Sequence, residues 1–215
     1  EAEAFNMTVK SQELPMHEPR LKHAMGVGYA VAPVGADHMM NIHDTAFTQK
    51  GSSIERVNSA LSEPVLPADR EALDENKLKI FLTEVNWMHF HDCALICQFY
   101  CYDYGQLSEV ISGVSGIEYS IHDVLAVGAR AQTLSRLFNL REGFTVADDK
   151  LPTRVMTAFD NGPIEGSGIT TSDFSWFRRH YYEGMKWDPE TGEPTDACLQ
   201  ELGLDHLLAQ AHLGE

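Results

Sequence analysis

Residues 70–101, REALDENKLKIFLTEVNWMHFHDCALICQFYC, carry the pattern that decides the fold. The stretch is acidic at its start, where the partial positive charge of a helix N-terminus favours carboxylates, and grows apolar towards its end. That combination predicts a long helix whose second half is buried. Three of the chain's four cysteines, Cys93, Cys97 and Cys101, fall at its end, each four residues after the last. Four steps nearly complete a helical turn, so the three thiols are expected on one helix face. They make no CxxC pair, and a structural zinc site, which usually draws on two close pairs of ligands, finds no second pair within the stretch. Small, soft cysteines lining a buried helix face are the plain structural expectation.

Working outward, residues 120–143, SIHDVLAVGARAQTLSRLFNLREG, begin with Ser120 and place Asp123 three positions on, close to a capping box. Val124, Val127, Ala131, Leu134 and Phe138 then recur at helical spacing, and Gly143 is a natural stop. Residues 21–32, LKHAMGVGYAVA, have helical length, with Gly26 and Gly28 permitting close approach by another backbone or a ligand and Pro33 ending the run. Further helices are expected over Ser172 to Tyr182 and near Leu204 to Leu213. Pro15 and Pro19 keep the first twenty residues extended along a surface, and the Ser-, Pro- and charge-rich stretch up to Arg70 reads as a surface excursion. GFTVADDKLPTR, NGPIEGSG and WDPETGEPT are loops by their Gly, Pro and Asp content. No alternating strand pattern stands out, so the chain is expected to be mainly α, with few or no strands.

At 215 residues and 43% hydrophobic, the chain is long and apolar enough for a real core in one large domain or two small ones. A formal net charge of −16 argues against a polyanionic partner such as nucleic acid. No apolar run is long enough to span a bilayer. Irregularly spaced cysteines and the lack of a secretory signal pattern give a cytoplasmic expectation.

Asp37, His38, His43 and Asp44 have the atoms for metal binding or for acid and base work, since imidazole titrates near neutrality and a neighbouring carboxylate can orient it. His89, His91 or Asp92 is a candidate third ligand if the long helix packs against this loop. In REGFTVADDKLPTR, apolar Phe144, Val146 and Leu151 suggest that the charges are pinned into a network. The aromatic segment FSWFRRHYYEGMKW reads as packing, because a base-stacking platform would need more positive charge than this chain carries.

Taken in order, VKSQELPMHEPR, GVGYAVAPVGADH, HDCALIC, RLFNLREGF, DDKLPTR and YYEGMKWDPETGEPT resemble the C-terminal portion, domains 2 and 3, of the tungsten-containing aldehyde ferredoxin oxidoreductases, from about Thr8 to Leu204. The resemblance implies helical C-terminal domains over 1–215, with the pterin-cradling N-terminal domain lying outside this chain. It implies a tungsten bis-pterin (tungstopterin), with molybdenum as a possible substitute, and a [4Fe-4S] cluster in an anaerobic oxidoreductase. In that family the fourth cluster cysteine ends a D-x-x-G-L-C motif that also touches a pterin; here the motif corresponds to Asp92, Cys93, Ala94, Leu95, Ile96 and Cys97. Cys97 is thereby the implied cluster ligand, Asp92 and Ile96 are implied cofactor contacts, and Cys93 and Cys101 keep their structural role. The motif's glycine is Leu95 here. The family's G-x-x-H stretch corresponds to Gly35-Ala36-Asp37-His38, which makes Gly35 a cofactor contact and His38 the residue that orients the aldehyde or moves a proton, with His43 as a second candidate. Where the family often has an arginine that contacts pterin phosphate, this chain has Val34. The implied partners are a polypeptide bearing the N-terminal half and three cluster cysteines, an aldehyde substrate, and ferredoxin or an iron–sulfur electron-transfer subunit. Two other readings stand beside it: a non-catalytic helical binding or scaffold module, and a small non-haem metal protein using Asp37, His38, His43 and Asp92.

Overall fold

The long helix of the sequence pattern runs over Glu75–Ala94 (α3 in chain order) in the computed structural model, which describes residues 5–100 and 102–207. Asp74 caps it by accepting from the Lys77 amide at 2.8 Å, and Glu75 supplies the acidic first turn. Its buried face carries Ile80, Phe81, Val85, Trp87 and Phe90. The same face buries charges that are paired: Lys77 meets Asp44 at 2.7 Å, and Glu84 meets Arg56 at 2.8 Å and the Tyr104 hydroxyl at 2.5 Å. Pairing is what lets these groups be buried, because an isolated ion in the interior costs several kcal/mol.

Before α3 lie a two-residue hairpin, β1 (Thr8–Val9) with β2 (Gln12–Glu13), then α1 (His23–Val31), a 3-10 turn (Asp44–Phe47) and α2 (Ser52–Asn58). After it come α4 (Tyr104–Ser115), α5 (Ile121–Arg141), α6 (Thr171–Gly184) and α7 (Asp196–Glu201). The chain is therefore mainly α, as its sequence implies. Helix α5 lies along α3, and Gly128 makes the approach possible: a Cβ there would sit 1.8 Å from the Asn86 carbonyl oxygen. The larger core joins α1, α3 and α6, with Phe81 meeting Phe177 and Tyr181 edge-on at 5.3 and 5.5 Å. Such aromatic pairs add about 0.5–1.5 kcal/mol each beyond area burial. A smaller core gathers Trp87, Phe90, Tyr104, Leu107 and Val124 around the C-terminal half of α3. The aromatic segment of α6 packs as expected, burying Phe174, Phe177, Tyr181, Tyr182, Met185 and Trp187. Asp149, from the charged loop, is buried against Arg136 at 2.7 Å and Lys10 at 2.6 Å, which ties the loop to α5 and the hairpin.

Several expectations are corrected. Helix α3 does not continue to Cys101. It stops at Leu95, whose φ of 56° and ψ of 35° are left-handed, and the Ile96 amide turns back to the His91 carbonyl at 3.0 Å. The three cysteines therefore do not share a helix face: Cys93 is exposed on the last turn, Cys97 is exposed beyond it, and Cys101 lies outside the described residues. The structural role for Cys93 as a buried filler falls with that geometry. On α5 the apolar stripe faces the core only in its first half, where Val124 is buried and Val127 packs on the smaller core; further on Leu134 and Phe138 are exposed while Gln132, Thr133 and Arg136 are buried. The Arg136 pair with Asp149 and the close approach at Gly128 turn the helix onto its polar face. The stretch before Arg70 is more than an excursion, for it contains α2 and buries Asp44, Phe47, Ile54 and Val57. Of the expected terminal helix, Asp205–Leu207 form a 3-10 turn and the remainder lies outside the described residues.

Candidate functional site

The loop after α1 carries the residues on which the chemistry would turn. Pro33 forbids continuation of the helix, and Ala32 is already extended with its amide returned to Gly28. Gly35 then adopts a φ of +94°, and a Cβ there would lie 2.2 Å from the Val9 carbonyl oxygen, so the loop is pressed against the hairpin at a point only glycine fits. Asp37 accepts from the Met39 amide at 2.6 Å, a tight side-chain turn that fixes the loop around His38.

His38 is half-buried and belongs to a cluster of imidazoles. Its ring centroid is 4.7 Å from that of His17 and 6.0 Å from that of His43, and His17 and His43 are 4.9 Å apart. Lys22 stands beside them with its ammonium 3.1 Å from His43 Nδ1. Burial, helped by the neighbouring Lys22 charge and by the other two imidazoles, holds His43 at about 4, and burial, Lys22 and His38 lower His17.

Asp37 links this loop to the end of α3. Its charge bears on His89, whose basicity is lowered chiefly by burial, and on Asp92, which burial and then Asp37 raise. The charge of the histidine loop is thus felt at the end of the long helix. His89 spends Nδ1 on the Val85 carbonyl at 2.8 Å, and His91 packs its ring on Trp87 at 4.5 Å. Asp44 is not free either, being fully buried between Lys77 and the Met25 amide. Among the described residues no group of three or more His, Cys, Asp or Glu side chains is arranged to hold a metal ion, which leaves the proposed set of Asp37, His38, His43 and Asp92 unassembled.

Beyond α3, the chain presents Cys97 in an exposed turn, with Ile96 half-buried against the smaller core. Leu95, at the turn's left-handed position, is 91% exposed. That conformation is one that glycine adopts without strain and other residues do not. His17 and Lys22 escaped the sequence reading of the site: both precede α1, and only the fold brings them beside a loop that follows it.

The family model described as aldehyde ferredoxin oxidoreductase, domains 2 and 3, matches residues 1–204. The chain belongs to the aldehyde ferredoxin oxidoreductase family. The tungsten-containing aldehyde ferredoxin oxidoreductase of Pyrococcus furiosus is 26% identical over 204 residues, covering 93% of this chain and 31% of the relative. The enzyme of the same description from Pyrococcus abyssi is 26% identical over 216 residues, covering 96% and 33%. The chain thus spans about a third of the length of these aldehyde ferredoxin oxidoreductases. Among solved structures, the active-site complex BamBC of benzoyl coenzyme A reductase with 1,5-dienoyl-CoA superposes with a TM-score of 0.62 at 16% identity, covering 98% of this chain and 35% of that one, a likeness of fold. Among the described residues no helix is long and apolar enough to cross a membrane.

Proposed function

We propose that this chain is the C-terminal part of a tungsten–pterin oxidoreductase, with molybdenum as the alternative metal, that oxidises an aldehyde to its carboxylic acid and passes electrons through a [4Fe-4S] cluster to ferredoxin or an iron–sulfur partner subunit. The observation that carries the reading is the placement of Cys97. Its thiol is exposed in the turn just after α3, the helix whose last turns carry His89 and Asp92, both within reach of the Asp37 charge from the histidine loop. A four-iron cluster takes four thiolates, and one exposed cysteine from this chain fits a set completed by another stretch of protein. Exposed Leu95 and Tyr100, which flank Cys97, offer that stretch an apolar surface. The free thiols of Cys93, Cys97 and Cys198 are in keeping with a reducing cytoplasm.

In this reading the metal would be held by pterin sulfurs rather than by side chains of this chain. When bound, that group supplies the two-electron redox chemistry. Within this chain His38 orients the aldehyde and takes up a proton as water and aldehyde become carboxylic acid, Asp37 fixes the loop that presents it, and Asp92, Ile96 and Gly35 shape the cofactor side. Elemental analysis of the native assembly tests the reading: tungsten or molybdenum to iron near one to four supports it, and iron without either metal contradicts it.

A further inference from the structure

Beside His38 the fold gathers positive charge whose counter-charge, Asp44, is already paired with Lys77. Lys22, half-buried at the N-cap of α1, spends its ammonium on a single acceptor among the described residues, His43 Nδ1 at 3.1 Å. An ammonium carries three donors, so two are left over. The ring nitrogens of His17 and His38 make no hydrogen bond within the described protein, although the rings lie 4.7 Å apart. The carboxylates near the cluster are paired elsewhere, although the charge of Asp44 still reaches Lys22. Glu18 is held by Arg20 at 2.8 Å, Asp44 by Lys77 at 2.7 Å and by the Met25 amide, and Asp37 by the Met39 amide, with its charge bearing on Tyr29, His89 and Asp92. The N-terminus of α1 adds its partial positive charge, with no acidic residue in its first turn. In a chain of net charge −16, a half-buried ammonium and three imidazoles with no directly ion-paired carboxylate among the described residues are a local exception.

We infer that Lys22, His17 and His43 form, with His38, a subsite for a small oxyanion, and that its physiological occupant is the carboxylate released by aldehyde oxidation. The oxyanion chemistry follows from the donors alone; the identity of the occupant rests on the function proposed above. Lys22 supplies a point charge and two N–H donors, and His17 and His38 supply ring N–H groups at the edge of the place where His38 would meet the reacting carbon, while His43, engaged by Lys22 and the His38 backbone, holds the ammonium in place. The lowered basicity of His43 and His17 keeps the empty subsite from carrying further charge at neutral pH. An anion reverses that balance, since it favours the imidazolium form. Binding therefore takes up protons in the window between about 4, where His43 stands in the free protein, and the ordinary histidine value of 6.5, and affinity rises as pH falls through it.

Isothermal titration of acetate and of sulfate into the native assembly, at about pH 5.5 and 7.5 and in buffers of different ionisation enthalpy, tests the inference. Acetate is expected to bind saturably, more tightly at the lower pH, with net proton uptake. Lys22→Met is expected to weaken it by about ten- to a hundredfold, the value of a lost charge-assisted hydrogen bond, while Lys22→Arg retains most of the affinity. His43→Gln is expected to bind acetate with less proton uptake, and gives a second reading should Lys22→Met melt below the parent. Equal acetate affinity in the parent and a fully folded Lys22→Met, or binding without proton uptake, overturns the subsite. Sulfate binding as well as acetate overturns the carboxylate assignment and leaves the oxyanion subsite standing. Acetate binding that depends on Lys22 in an assembly devoid of tungsten and molybdenum upholds the subsite and overturns the enzymatic reading.

Discussion

Leu95 stores strain at the turn that presents Cys97, and relieving it has a calculable effect. Its φ of 56° and ψ of 35° put the Cβ close to the following carbonyl, at a cost of about 1–2 kcal/mol for a residue other than glycine. The side chain is 91% exposed, so removing it forfeits almost no burial. Glycine loses more backbone freedom on folding, which returns about 0.5–1 kcal/mol of the gain. Leu95→Gly is therefore expected to stabilise the fold by about 1 kcal/mol, or to raise Tm by roughly 2–4 °C for a chain of this size. Leu95→Ala separates the causes. It keeps the Cβ that creates the strain and is expected to melt close to the parent. Thermal unfolding of the three proteins followed by circular dichroism is sufficient. A glycine variant no more stable than the parent refutes the reasoning, and an alanine variant that gains as much assigns the effect to the exposed leucine side chain.

Two further substitutions probe the frame around the site. Gly128→Ala places a methyl 1.8 Å from the Asn86 carbonyl oxygen and forces α3 and α5 apart; a loss of at least about 1–3 kcal/mol, seen as a fall in denaturation midpoint, is expected. His43 stands at about 4 in the folded protein against 6.5 ordinarily, so the unfolded chain binds more protons between those values. Its contribution to stability is full above about pH 6.5 and lost as pH falls towards 4, and His43→Gln is expected to flatten that part of the stability–pH curve, measured by denaturant titration.

How much of this was legible in the sequence depended on how local the deciding interactions were. The cap of α5 lies within three residues of the groups it satisfies, and Ser120 and Asp123 do what their spacing implies. Pro33 likewise ends α1 by its own ring. The end of α3 was not legible, because leucine rarely adopts the left-handed conformation and the apolar pattern runs on past it; the cysteine face was lost with it. On α5 the apolar period reached the core at Val124 but not at Leu134 and Phe138, where a buried ion pair of Arg136 with Asp149 outweighed it, a partner that the period does not reveal. In the site, His38 and Cys97 were reached through short motifs. His17 and Lys22 were not, since they meet His38 and His43 only when the chain before α1 folds over the loop after it.

The most direct test of the account is the iron content of the native assembly carrying Cys97→Ser, read with its low-temperature electron paramagnetic resonance after reduction. The account predicts loss or conversion of the [4Fe-4S] signal with the helices intact by circular dichroism, because serine removes a thiolate ligand from an exposed turn. An unchanged cluster signal and full iron content in that variant would contradict it.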